Sequence, residues 1–317
     1  MTAPRLLDDG LHRRTPGTKD AMNEPRNSAP IRVGLVGAGP WARTMHAPML
    51  AAGPETELVS VWARRPEAAA ELTAQYGGRP AASFDELLGR CEAVAFAVPP
   101  AVQADLAVRA ARAGRALLLE KPLGPDLASA RAVADAVAGS GVVSQLVLSK
   151  RYHPQTREFL TRARQLKVSG ARSCYLHGVF LGGEQATAWR LEHGALLDLG
   201  PHLLDLLDMA VGPVASVRAA GDPRRWVELT CEHENGAVSQ ASLSGTVRLP
   251  GSRTRVELYG EEGELVYDTA GFDFDECWPE LRRQFAAAVR AGRSSQLDAQ
   301  RGLRLQELLE QAATRAP

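Results

Sequence analysis

The stretch Ile31–Ala42, reading I-R-V-G-L-V-G-A-G-P-W-A, decides the fold. A short apolar run (Ile31, Val33, Leu35, Val36) ends in Gly37-Ala38-Gly39 and opens onto a helix-like segment. That is the order of a dinucleotide-binding turn. Gly37 permits the tight turn, Gly39 lets backbone N–H groups approach a pyrophosphate, and Ala42 is small enough for helix and strand to pack closely. The pyrophosphate would lie on the N–H groups and positive dipole end of the helix beginning near Pro40, a residue that gives up no intrahelical bond in a first turn. A glycine turn alone is a weak signal. Its placement between a strand-like run and a helix strengthens it.

Outward from this turn, strand and helix alternate with short connections. A helix over 41–52 must bend or shorten at Pro48. Strands are expected at Glu57–Trp62, Ala93–Val98, Ala116–Leu119 and Val142–Leu148, with helices at Pro66–Tyr76, Ala101–Ala113 and Asp126–Ala138. Ser83-Phe84-Asp85-Glu86 reads as a capping box. The pattern predicts a doubly wound parallel sheet, an N-terminal Rossmann dinucleotide-binding domain over residues 31–150. Beyond Lys150 the rhythm changes. A helix at Gln155–Gln165, a strand at Ala171–Phe180 and a helix from about Ala195 to Val211 precede strand-like runs at 214–220, 225–233, 237–246 and 253–259, and Val266 and Tyr267 extend the series. Neighbouring strands with few helices predict an open, mainly antiparallel sheet in an α+β domain over 151–317. Two helices near 276–291 and 296–313 close the chain and can pack back on the first domain. The polar residues 1–30 read as a disordered extension, and Met22 offers a second start, with 1–21 then an added extension.

The 317 residues have room for two domains, and Lys plus Arg equals Asp plus Glu at 37 each, so no net charge draws the chain to nucleic acid or an anionic membrane. The longest apolar runs fall far short of the ~20 residues that span a bilayer. Cys91, Cys174, Cys231 and Cys277 are widely spaced without a C-x-x-C pair, and His46, His153, His177, His193 and His233 lack ligand spacing. Reduced thiols in a cytoplasmic protein without a metal are therefore expected.

Two constellations carry chemistry. Glu120-Lys121-Pro122 directly follows a strand of the first domain, where ligands of open α/β sheets bind. Lys121 there can donate to a substrate oxygen while hydride moves, although a solvated surface lysine would read the same on position alone. Asp198 and His202 lie four apart in A-L-L-D-L-G-P-H-L-L-D, on one helical face with Asp205. A carboxylate that fixes an imidazole is acid–base equipment; such a pair alone is more often structural. Pro201 requires the helix to start nearby or bend.

With these elements together the chain resembles the glucose–fructose oxidoreductase/inositol dehydrogenase/MocA (Gfo/Idh/MocA) family from about Ile31 to about Ala313. The matching pieces are G-L-V-G-A-G-P-W-A at 34–42, V-P-P at 98–100, A-G-R-A-L-L-L-E-K-P-L at 113–123 and H-G-A-L-L-D-L-G-P-H-L-L-D-L-L at 193–207. The resemblance implies a dinucleotide site of Gly37, Gly39, Pro40, Trp41, Ala42, Val98, Pro99, Pro100, Glu120, Lys121 and Pro122. It implies Lys121 as the catalytic lysine, with His202 as proton carrier, Asp198 as its partner, and a dimer or tetramer formed through the C-terminal sheet. Where NAD-using relatives carry an acidic residue, the sequence has Ala63, followed by Arg64 and Arg65, so NADP(H) is expected over NAD(H). Gln103 stands where relatives often have His and can alter what lies near the cofactor. Tyr152, His177 and Trp189 are candidate substrate contacts. The implied activity is hydride transfer between nicotinamide and a secondary alcohol or ketone of a sugar, cyclitol or related small molecule. Alternatives are reduction of a C=N or pyrrole-type substrate on the same fold, or a non-catalytic NAD(P)-binding regulator.

Overall fold

The structure is a computed structural model that describes residues 29–314, so residues 1–28 of the N-terminal extension, with the alternative start at Met22, lie outside the described residues. β1 (Ile31–Val36) is the centre of a six-stranded sheet with β2 (Thr56–Trp62), β3 (Arg79–Pro80), β4 (Ala93–Phe96), β5 (Ala116–Glu120) and β6 (Ser144–Val147). Its order is β3-β2-β1-β4-β5-β6 and every pairing is parallel. The order reverses between β1 and β4, and such a switch point opens a crevice at the carboxyl ends of the strands. β4 and β5 are wholly buried, as expected of parallel strands covered on both faces.

The helix after the glycine turn accommodates Pro48 by widening. A π-helical turn, Ala42–His46, leads into α1 (Ala47–Ala51), because Pro48 has no N–H for the carbonyl four residues back. α2 (Pro66–Tyr76) and α3 (Phe84–Arg90) follow, and Ser83 caps α3 by accepting from the Glu86 N–H at 3.1 Å. α4 (Pro100–Arg112) and α5 (Leu127–Ser140) complete the cover of the first sheet.

After α6 (Pro154–Ala163) a second sheet is built from β7 (Val168–Leu176), β8 (Val214–Asp222), β9 (Trp226–His233), β10 (Val238–Ser244), β11 (Arg253–Gly260) and β12 (Gly263–Asp268). The order is β12-β11-β7-β10-β9-β8, antiparallel throughout except β7 with β10. Between β7 and β8 runs α7 (Ala188–Ala210), which packs on β7, β9 and β10. It is two segments joined at Gly194, whose φ of +74° breaks the helix; the Ala195 N–H turns instead to the Pro223 carbonyl at 2.7 Å.

α8 (Cys277–Ala291) and α9 (Ala299–Thr314) return to the first sheet. The Leu146 N–H donates to the Leu297 carbonyl at 2.7 Å, and Arg282 of α8 pairs with Glu55 at 2.7 Å beside β2. Among the described residues no helix is long and apolar enough to cross a membrane, and all four cysteines are free.

Candidate active site

A cleft of about 600 Å³ opens at the carboxyl ends of the first sheet. Gly39, Pro40 and Trp41 form one end, Val98–Pro100 and Glu120–Pro122 the floor, and Tyr175, His177, Trp189, Arg190, Asp198 and His202 the opposite wall. Its size is that of a small-molecule site.

The glycine turn has the shape a dinucleotide needs. Gly37 has φ +111°, and a Cβ there would lie 2.3 Å from the Ala97 carbonyl oxygen, so only glycine lets β4 close on the turn. A Cβ on Gly39 would meet nothing within 4 Å; the space beside its backbone is open to the cleft, as an approaching pyrophosphate requires. Ala42 is buried behind the turn. The Gly37 N–H donates to the Trp62 carbonyl at 2.8 Å, which sets Ala63, Arg64 and Arg65 beside the turn. Arg64 and Arg65 are exposed, and among the described residues neither side chain forms an ion pair or hydrogen bond.

The loop after β5 is held by two side chains. The Gln103 amide, fully buried, accepts from the Glu120 N–H at 2.8 Å and donates to the Glu120 carbonyl at 2.8 Å, with longer contacts to those of Pro122 and Leu123 at 3.3 Å. Gln103 thus serves as a clamp under the lysine loop. The Glu120 carboxylate accepts from Trp41 Nε1 at 2.7 Å and meets His46 Nε2 at 2.9 Å, tying the glycine turn to the same loop. The Lys121–Pro122 peptide is cis.

Lys121 Nζ donates to Asp198 Oδ1 at 2.7 Å and to the Asp198 carbonyl at 2.9 Å. The other carboxylate oxygen faces Arg190 Nε at 3.1 Å. Burial alone would push the Asp198 carboxyl up; the Lys121 ammonium and Arg190 guanidinium overcome it and hold it below the usual carboxylate range. Asp198 is therefore an anion that aims the lysine. Burial, and the cations of Lys150, Lys121 and Arg190, hold the His202 imidazole well below its ordinary value. It is neutral at physiological pH, and its Nδ1 has no hydrogen-bond partner.

Two expectations need correction, those for Asp198 and Tyr152. Asp198 does not orient His202, because its carboxylate is engaged by Lys121 and Arg190. Asp205 belongs to a buried ion cluster, taken by Arg151 at 2.9 Å and Arg301 at 2.7 Å. Tyr152 does not reach the cleft; it is fully buried and its hydroxyl donates to the Leu146 carbonyl at 2.8 Å. His177 and Trp189 do line the cleft. Sequence reasoning missed Arg190, whose spacing from Asp198 is uninformative across the break at Gly194. It also missed Tyr175 and Lys150, whose amine lies 3.6 Å over the Tyr175 ring centroid. Among the described residues no group of three or more His, Cys, Asp or Glu side chains is placed to hold a metal ion.

Residues 31–147 match the family model described as "Oxidoreductase family, NAD-binding Rossmann fold", and residues 167–266 match "GFO/IDH/MocA C-terminal domain". The chain is 32% identical over 256 residues to a dTDP-3,4-didehydro-2,6-dideoxy-alpha-D-glucose 3-reductase of Streptomyces violaceoruber, covering 76% of this chain and 73% of that protein. It is 30% identical over 243 residues to a UDP-N-acetylglucosamine 3-dehydrogenase of Acidithiobacillus ferrooxidans, covering 71% of each. Among solved structures, GenD2 from gentamicin A biosynthesis, in complex with NAD, superposes with a TM-score of 0.81 at 24% identity, covering 96% of this chain and 97% of that one.

Proposed function

Because the chain belongs to the Gfo/Idh/MocA oxidoreductase family, we propose that its cleft transfers hydride between NADP(H) and a ring hydroxyl or ketone of a sugar, cyclitol or related small molecule. The observation that carries this reading is Lys121 at the cleft floor, aimed by a buried carboxylate and by the carbonyl of the same residue. A bound nicotinamide supplies or accepts the hydride. Lys121 donates a hydrogen bond to the reacting oxygen and stabilises the charge that develops there. Asp198 fixes the ammonium in place. His202 takes the proton of a substrate hydroxyl, or returns one to the oxygen of a ketone. His177 and Thr187 present buried polar atoms without partners to the same cleft, Nδ1 and Oγ1, which suits contact with further substrate hydroxyls. The names of both curated relatives place their chemistry at carbon 3 of a nucleotide-linked sugar, so such sugars head the substrates to screen.

The cofactor preference rests on Ala63, Arg64 and Arg65. No carboxylate at these three positions would repel a 2′-phosphate, and two free guanidinium groups can pair with one. Calorimetric titration should give tight NADPH binding and weaker NADH binding. R64A/R65A should weaken NADPH by about ten- to a hundredfold, roughly 1.4 kcal/mol per tenfold, and leave NADH nearly unchanged. Equal affinities in the parent protein would refute the preference. In parallel, K121A should bind NADPH normally while turnover falls by about 10²–10⁴-fold. Undiminished turnover would remove Lys121 from the chemistry.

A further inference from the structure

The chain uses arginine almost everywhere it needs a cation: only four of its 37 Lys plus Arg positions are lysine, at 19, 121, 150 and 167. Of those four, Lys121 lines the cleft and Lys150 packs against Tyr175 of the cleft wall. Lysine differs from arginine in that it gives up its proton when desolvated. Lys150 lies in the 3₁₀ turn Ser149–Tyr152 that follows β6 and is only 2% exposed. Its amine lies 3.6 Å from the Tyr175 ring centroid and 5.9 Å from that of Phe274, and among the described residues no carboxylate pairs with it and no hydrogen bond reaches it. The other side of the arrangement is His202, whose ring meets Tyr175 edge-on at 5.9 Å between centroids and whose Nδ1 has no partner. One aromatic ring, that of Tyr175, thus meets both an unpaired buried amine and the imidazole assigned to the proton step.

We propose that Lys150 is a positioning residue for that step: its buried amine takes up a proton ahead of His202 and, once charged, holds the imidazole in the neutral form that can accept the proton of a substrate hydroxyl. The groups facing this pair are Lys121 from the β5 loop, Arg190 and Asp198 from α7, Tyr175 and His177 from β7 and the turn after it, and Cys277 from α8. Asp198 is already shared by Lys121 and Arg190, and Asp205 further along α7 is neutralised by Arg151 and Arg301. Burial pulls the Lys150 ammonium down to about 7, and Lys121 pushes the same way. The sign follows. Below that pH, where an ordinary imidazole would begin to protonate near 6.5, Lys150 is already charged, and a proton on His202 would add a further cation to an unbalanced cluster.

The inference rests on His202 as proton carrier, and the test separates the two. The NADPH-saturated protein, labelled at histidine, is titrated by NMR, with His202 assigned through H202N. In the parent protein the His202 ring should stay neutral to below about pH 6. In K150M its titration should move up by a unit or more, whereas K150R, which keeps the cation, should leave it at the parent position. K150Q serves if K150M does not fold. A His202 that titrates near 6.5 in the parent protein, or at the same pH in the parent and in K150M or K150Q, overturns the proposal without needing any substrate. The reading of His202 itself fails separately, if H202N oxidises a screened sugar as fast as the parent.

Discussion

Gln103 holds the lysine loop through a single side-chain amide. Its two polar atoms serve one N–H and three carbonyls of the segment from Glu120 to Leu123. Q103L keeps most of the volume but leaves these groups buried and unpaired, at about 1–3 kcal/mol for each group fully orphaned. Thermal denaturation should show a Tm several degrees lower, and turnover should fall because Lys121 loses its platform; an unchanged Tm would mean that water or relaxation replaces the clamp. At this scale the sequence was legible where a residue's environment is local. Gly37, Gly39 and Lys121 follow from the strand that precedes them. Asp198 was found but given the wrong partner, because helical spacing says which residues share a face and nothing of which cations arrive from other elements. Tyr152 shows the same limit: the backbone turn after β6 sends its hydroxyl to Leu146.

Among the elements, α7 is the one on which the site depends. Its chemistry lies beyond the break at Gly194, and the break lets Arg190 fold back on Asp198 from the preceding turn. G194A would place a Cβ 2.3 Å from the Pro223 carbonyl oxygen at a φ that L residues rarely adopt. We expect a loss of more than about 1 kcal/mol in stability and a rise in KM from misplacement of Arg190, read by denaturant unfolding and steady-state kinetics. Retained stability would show that the loop at Pro223 can move. The alternation of strands and helices up to Leu148, and the series of strands after Val214, were legible because each carries its own period and punctuation. The parallel pairing of β7 with β10 was not. It joins strands more than sixty residues apart, and no local pattern names a partner at that distance.

Across the whole molecule, burial of the histidines and the pairing of several carboxylates make stability fall on the acid side. Burial lowers His153, His177, His202 and His233 from their ordinary values. The unfolded chain therefore binds more protons just below pH 6.5, and stability falls as the pH drops through that window. Glu55, Asp126, Asp198 and Glu280 are held below the usual carboxylate range, so their contribution, present above about pH 4, is lost as the pH falls further. Calorimetric melts should show Tm falling in two stages on acidification. A flat Tm from pH 6.5 to 5 would deny the histidine stage. The tryptophans are placed to report on the cleft. Of the five, Trp41, Trp189 and Trp278 line the cleft, and Trp41 meets Trp278 edge-on at 6.1 Å between centroids. A reduced nicotinamide absorbs where indole emits, so occupancy of the cleft is written into the protein's own fluorescence: the three indoles that line it dim by energy transfer.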